Sequence, residues 1–176
     1  MDEIILVFPT KEMENDAVDF VAEHFAHGED HIHGSAGLYR EASYDDWLAK
    51  LEAYQRGDRT MMEGTVPSTT YFAFLKNDSK IVGIIDIRHR LNEYLMDFGG
   101  HIGYGVRPTE RRKGYATQML ALALKECRKL GLEKVLVTCG KKNLGSSGVI
   151  KKNGGVLENE MTEPDGDLLQ RYWIDI

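Results

Sequence analysis

The sequence predicts an α/β protein of α+β character, in which a central mixed β-sheet flanked by helices fills one domain, residues 1–176. Three observations predict it. Short apolar runs bounded by Pro, Gly and polar turns alternate with stretches whose apolar residues recur three and four apart. Their order reads β-α-α-β-β-β-α-β-α-β-β, with no repeat, linker or low-complexity tract to divide it. A chain of 176 residues with 42% hydrophobic and 28% charged residues can bury a core of its own.

Ile4 to Phe8 is an apolar run stopped by Pro9 and reads as a first strand. Thr10 is placed to cap a helix running to about Phe25, with Met13, Ala17, Phe20, Val21 and Phe25 inward. His24, His27, His31 and His33 then lie among Glu23, Glu29 and Asp30. Spacings of three and four could gather metal ligands, but Gly28 interrupts the helix and no zinc signature fits. A polar loop bordering a cleft is expected there, without metal. Ser43 caps a second helix carrying Trp47, Leu48, Leu51 and Tyr54, and Gly57 ends it. The loop through Met61, Met62 and Gly64 to Pro67 is placed to cover a substrate.

Thr69 to Lys76 and Lys80 to His89 form a hairpin around Asn77, Asp78 and Ser79. Polar residues gather where it ends. Solvation is expected for Arg88 and His89, whereas Arg90 and Asn92 are candidates to touch substrate. Gly99 to Val106 follows as a glycine-rich strand, which lets a ligand or another backbone approach closely. Pro108 stops it, since proline cannot donate to a ladder, and a helix opens at Gly114 with Tyr115, Met119, Leu122, Ala123 and Leu130 at helical spacing. Val135 to Thr138 suits a buried strand. Asn143 begins a helix stopped by Gly154 and Gly155, and Val156 to Met161 with Leu168 to Ile174 close the chain as a hairpin.

The turn from Val106 to Thr117 carries the chemistry. A helix start leaves backbone N–H groups without partners, and its dipole favours an anion. Arg111, Arg112 and Lys113 add positive charge there, while Gly114 removes a Cβ from the path of a ligand, ahead of Tyr115, Ala116 and Thr117. This is a place for a pyrophosphate. It is not a dinucleotide or nucleoside-triphosphate loop, because neither Gly-x-Gly-x-x-Gly nor Gly-Lys-Ser/Thr occurs.

Arg111-x-x-Gly114-x-Ala116 after Val106-x-Pro108 resembles the acetyl-CoA-binding motif of the GNAT acyltransferase superfamily. A second segment, Asn143-Leu-Gly-Ser146 leading to Lys152 and Gly154, is similar to that family's Asn-x-x-Ala/Ser helix. The resemblance covers most of the chain and is tightest over residues 98–158. It implies a GNAT fold and an N-acetyltransferase that moves the acetyl group of acetyl-CoA to a primary amine of a small molecule or peptide. It also implies that Asn143 and Ser146 touch the pantetheine or adenosine-phosphate region, and it is compatible with a homodimer. The family's tyrosine acid on the helix after the Asn motif falls on Ile150, which leaves a CoA-binding regulatory module with little turnover as the alternative.

Candidates for the proton steps come from the residues themselves. An alkylamine with a pKa of about 10.4 must lose a proton before attack, and imidazole titrates near neutrality, so His101 is the first base candidate. Glu93 and Asp97 are the next, and Tyr104, Tyr115 or Tyr172 could supply a hydroxyl to the leaving thiolate if it is not simply a packing residue.

The formal charge of −6 argues against a general nucleic-acid partner. Cys127 and Cys139 lack a Cys-x-x-Cys spacing and fit free, buried thiols. An acidic start with no basic n-region, and no run near the ~20 apolar residues of a membrane helix, leads to a cytoplasmic expectation with no membrane partner.

Overall fold

The computed structural model describes residues 2–58, 62–78 and 80–176; Met61 of the expected covering loop and Ser79 of the hairpin turn lie outside them. Strands β1 (Ile4–Val7), β2 (Ser68–Leu75), β3 (Ile81–Arg88) and β4 (Ile102–Val106) form one antiparallel sheet in that order. Strands β5 (Lys134–Gly140), β6 (Val156–Thr162) and β7 (Leu168–Asp175) form a second, in the order β5-β7-β6.

Helices α1 (Glu14–Ala26) and α2 (Tyr44–Arg56) cover one face of the first sheet. There Phe20, Trp47 and Leu51 pack with Ile32, Phe72 and Ile84. Helices α3 (Tyr115–Lys129) and α4 (Leu144–Lys152) cover the other face. Met119, Leu120 and Ala123 meet Val82, Ile85 and Ile87 of the first sheet and Val135 and Val137 of the second, so α3 joins the two sheets through one core. The expected helix ends hold where a cap can be seen. Ser43 accepts from the Asp46 N–H at 3.1 Å, and Gly57 closes α2 at a left-handed φ of 66°.

Four expectations change. Thr10 makes no side-chain cap, and a 3₁₀ turn over Lys11–Met13 precedes α1. His24, not Phe25, is the buried residue near the end of α1; Phe25 is 44% exposed and stacks edge-on against Tyr39. Gly99 and Gly100 are not strand, because Leu95–Gly99 makes a π-helical turn and Gly100 takes a φ of 66°. Arg88 holds that turn by donating to the carbonyls of Gly99 and Gly100 at 3.1 and 3.0 Å, and His89 Nε2 pairs with the Thr69 hydroxyl at 2.8 Å. Neither side chain is simply solvated as expected.

The fold places the site by letting β4 part from β5. The Arg88 N–H bonds the His101 carbonyl and the Arg107 N–H bonds the Val82 carbonyl, so odd-numbered residues of β4 face β3. Ile102, Tyr104 and Val106 therefore turn their backbone groups outward. On β5 the Lys141 N–H bonds the Leu168 carbonyl, so Leu136, Thr138 and Gly140 turn theirs toward β4. The edges meet at one end, where His101 N–H donates to the Leu136 carbonyl at 2.7 Å and His101 Nδ1 accepts the Leu136 N–H at 2.9 Å. Beyond that vertex no main-chain bond joins β4 to β5 among the described residues.

On the α1–α2 side, residues 32–34 lie across β4. Gly34 has a φ of 73°, and a Cβ there would sit 2.3 Å from the Gly103 carbonyl oxygen. Gly34→Ala should therefore destabilise the protein by about 1–3 kcal/mol, seen as a lower urea midpoint with unchanged m-value. A midpoint equal to that of the parent protein would show that this close approach does not constrain the fold.

Candidate active site

The turn that follows β4 is built by acidic side chains as much as by basic ones. Arg107 is 2% exposed and donates to the Ile81 carbonyl at 2.6 Å, to Asp19 at 2.8 Å and to Glu23 at 2.9 Å. Glu23 also accepts from the N–H and hydroxyl of Thr109 at 3.0 and 2.8 Å. Burial works to raise the Glu23 carboxyl, but the bonds from Thr109 and Arg107 outweigh it and hold it down to about 2. The 3₁₀ turn Pro108–Glu110 is thus fastened to α1.

Arg111 donates through Nε to the Val106 carbonyl at 3.1 Å and pairs with Glu29 at 2.5 Å. Lys113 pairs with Glu110 at 2.7 Å, and Lys80 reaches the same carboxylate at 2.9 Å. Of the three basic residues expected to face a phosphate, Arg112 has no acidic partner among the described residues. The backbone carries more. Arg112 and Gly114 both adopt left-handed φ, 65° and 87°. The N–H groups of Arg112, Lys113, Gly114, Tyr115 and Ala116 find no acceptor among the described residues, while Thr117 N–H bonds the Gly114 carbonyl. Alternating left- and right-handed residues ahead of a helix make successive N–H groups converge on an anion.

From this turn the open edge of β4 runs back to the vertex, offering the N–H groups of Val106 and Tyr104. Beside it stands the start of α4. Asn143 caps that helix by accepting the Ser146 N–H at 3.0 Å, and the Ser146 hydroxyl lies 2.7 Å from the Tyr104 hydroxyl. The Cys139 thiol neighbours the same serine, and burial pushes that thiol up. Burial also pushes the Tyr104 phenol up to about 12. Both cysteines are free and buried, as expected, and burial pushes Cys127 up to about 12. Ile150 is wholly buried in the core and offers no hydroxyl.

His101 stands at the vertex, 5% exposed, and its expected role as base does not survive its hydrogen bonding. Because Nδ1 accepts the Leu136 N–H, the neutral ring carries its proton on Nε2 and has no free lone pair to take one from a substrate. Burial, with Arg88 nearby, lowers its pKa to about 4. Glu93 and Asp97 are exposed on the segment before the vertex, with no contact to the open edge among the described residues. Asn92 is also used internally, donating to the Gly64 carbonyl at 2.7 Å and accepting the Leu95 N–H at 2.9 Å. Arg90 is exposed. The residues brought together are therefore Tyr104, Val106, the 111–117 turn, Asn143 and Ser146; His101, Glu93, Arg90 and Asn92 are not joined to them. Missed from the sequence were Glu23 and Glu29, whose spacing from the turn gives no local signal. No group of His, Cys, Asp and Glu able to hold a metal occurs among the described residues.

Comparison with known proteins agrees with this geometry. Residues 5–156 match the family model described as an acetyltransferase (GNAT) domain, and the chain belongs to that family of acetyltransferases. Among solved structures, RimJ of Mycobacterium smegmatis in complex with CoA-disulfide is 20% identical, over 98% of this chain and 81% of that one, with a TM-score of 0.71. The microcin C7 self-immunity acetyltransferase MccE, solved with acetyl-CoA and AMP, is 15% identical over 100% and 94%, with a TM-score of 0.71. The acetyltransferase from Salmonella typhimurium that modifies the N-terminal serine of ribosomal protein L7/L12 is 18% identical over 98% and 95%, with a TM-score of 0.67. At these identities the likeness is one of fold. No curated protein is significantly similar in sequence. No helix is long and apolar enough to cross a membrane among the described residues.

The protonation of His101 has a measurable consequence. A histidine whose folded pKa lies below its unfolded value contributes stability that is complete above about pH 6.5 and is lost as pH falls through about 4. Between those limits the parent protein should lose about 3 kcal/mol more than His101→Asn, whose carbonyl can accept the same N–H without titrating. Parallel pH–stability curves for the two proteins would refute the vertex assignment. Turnover of His101→Asn should stay within a few-fold of the parent, whereas loss of a general base costs about a hundredfold or more.

Proposed function

We propose that this acetyltransferase binds acetyl-CoA along the open edge of β4 and transfers its acetyl group to a primary amine. The observation that carries the reading is two sets of N–H groups without acceptors among the described residues, those of Tyr104 and Val106 on the outer edge of β4 and those of the nest over residues 112–116, with the paired turn 107–111 between them. The nest takes the pyrophosphate and the edge takes the pantetheine arm. One edge N–H polarises the thioester carbonyl and stabilises the oxyanion that forms on attack. The residues implied to hold the cofactor are Val106, Arg111, Arg112, Lys113, Gly114, Tyr115, Ala116 and Thr117, with Asn143 and Ser146 across the gap. Lys113 acts through its backbone N–H, since its side chain is paired to Glu110, while Arg111, whose N–H bonds the Pro108 carbonyl and whose side chain pairs with Glu29, acts by ordering the turn. Asn143 acts by shaping α4.

Attack of a neutral amine forms the C–N bond, collapse breaks the C–S bond, and the proton lost by the amine ends on the CoA thiolate. The Tyr104–Ser146 pair takes the place of the missing helix tyrosine. A phenol held near 12 keeps its proton against a thiolate of about 8.5, so the pair stabilises the leaving sulfur by hydrogen bonding and solvent completes the transfer.

With His101 engaged by Leu136 and no imidazole or carboxylate hydrogen-bonded to the open edge among the described residues, the acceptor is read as bringing its own neutral amine. An α-amine of pKa about 7.7 is about one-sixth neutral at pH 7, whereas an alkylamine of pKa about 10.4 is neutral only about once in 2,500 molecules. The reading therefore favours the α-amine of a peptide N-terminus; among the structural neighbours, RimL is described as a ribosomal L7/L12 alpha-N-protein acetyltransferase.

Two measurements check this. In steady-state release of CoA, peptides with free N-termini should exceed N-acetylated, lysine-containing peptides and polyamines by at least tenfold in kcat/KM. The reverse order would discard the α-amine reading, and CoA release with no amine in the panel would favour a binding module. Tyr104→Phe should lower kcat by about tenfold or more and leave acetyl-CoA affinity within twofold, while Gly114→Asp should weaken that affinity at least tenfold, about 1.4 kcal/mol. Unchanged affinity in folded Gly114→Asp would remove the phosphate site from the turn.

A further inference from the structure

We infer that Glu29, in the loop after α1, is a positioning residue that sets the shape of the phosphate-binding nest. This rests on the reading of residues 111–117 as the pyrophosphate site. The nest depends on Arg112 holding a left-handed φ of 65° without being a glycine, a conformation that persists only where neighbours fix it. The residue before it is the one that is fixed. Arg111 is gripped at two points, with Nε on the Val106 carbonyl at 3.1 Å and a terminal nitrogen on Glu29 Oε1 at 2.5 Å.

Glu29 is itself held, because Oε2 accepts from His24 Nδ1 at 2.7 Å. That bond puts the His24 proton on Nδ1 and leaves Nε2 buried without a partner among the described residues. A buried orphan acceptor is costly, so the fold tolerates it where the donated bond fixes something else. Burial works to raise Glu29, yet the bonds from Arg111 and His24 outweigh it, so the carboxylate is charged at neutral pH. The chain His24–Glu29–Arg111 thus ties the end of α1 to the residue that precedes the nest. The alternative, in which Glu29 competes with the phosphate for Arg111, predicts the opposite sign.

The test compares acetyl-CoA with acetyl-pantetheine, which carries the same thioester and arm but no pyrophosphate. Glu29→Ala and the milder Glu29→Gln should each raise the Kd for acetyl-CoA, by about tenfold for Ala, while the Kd for acetyl-pantetheine and the acceptor KM stay within twofold. Tighter acetyl-CoA binding would make Glu29 a competitor and overturn the inference. Equal weakening of both ligands would reduce it to a structural residue and overturn it as well, and so would unchanged binding of both. Parent protein that binds acetyl-CoA no better than acetyl-pantetheine would instead sink the phosphate reading of the turn, a failure visible before either variant is made.

Discussion

The bond between the Leu136 N–H and His101 Nδ1 decides how the two sheets meet. An edge N–H of β5 would ordinarily find a strand carbonyl, and a second such bond would zip β5 onto β4. Here a side-chain nitrogen takes that N–H, after Gly100 has turned the chain at a φ of 66°. A Cβ at Gly100 would lie 2.6 Å from the Leu136 carbonyl oxygen, so the backbone can come this near only as glycine. The segment before it is locked by Arg88 on the Gly99 and Gly100 carbonyls, by the Thr138 hydroxyl on Phe98, and by Arg171 on Met96. A rigid vertex lets the strands diverge while one core, running through α3, holds them together. The unpaired edges that result are costly in a folded protein unless a ligand or water satisfies them.

Charge in the site is balanced rather than accumulated. Glu23, Glu29 and Glu110 neutralise Arg107, Arg111 and Lys113, and their carboxyls are all held below the usual range. In the proposed cofactor site the attraction for an anion is left to oriented N–H groups and to Arg112. Oriented dipoles fixed by the fold need no reorganisation on binding, whereas free arginines would have to be ordered first. A chain with a net charge of −6 can still present a phosphate site on this basis.

The proton chemistry follows the same economy. Burial keeps the Tyr104 phenol protonated and His101 neutral, each in the state its hydrogen bond requires. Neither group is poised near pH 7, which in the proposed function leaves ionisation to the amine itself.

The order of elements, the turn at Pro108, the helix opening at Gly114, the cap at Asn143 and the absence of a tyrosine at 150 were legible in the residues alone. These are local: proline stops a ladder, glycine allows a left-handed φ, and an Asn oxygen reaches an N–H three residues on. Tertiary structure alone decided the roles of His101, Arg111, Lys113, Asn92 and Arg88. All but Lys113, whose partner Glu110 lies three residues away, bond a residue distant in sequence or a backbone group whose freedom depends on strand pairing. The 35 positions between His101 and Leu136, and the spacing that puts Glu29 beside Arg111, leave no periodic mark. A titratable side chain looks the same in sequence whether its lone pair is free or already taken, and only the packed fold supplies the donor that takes it.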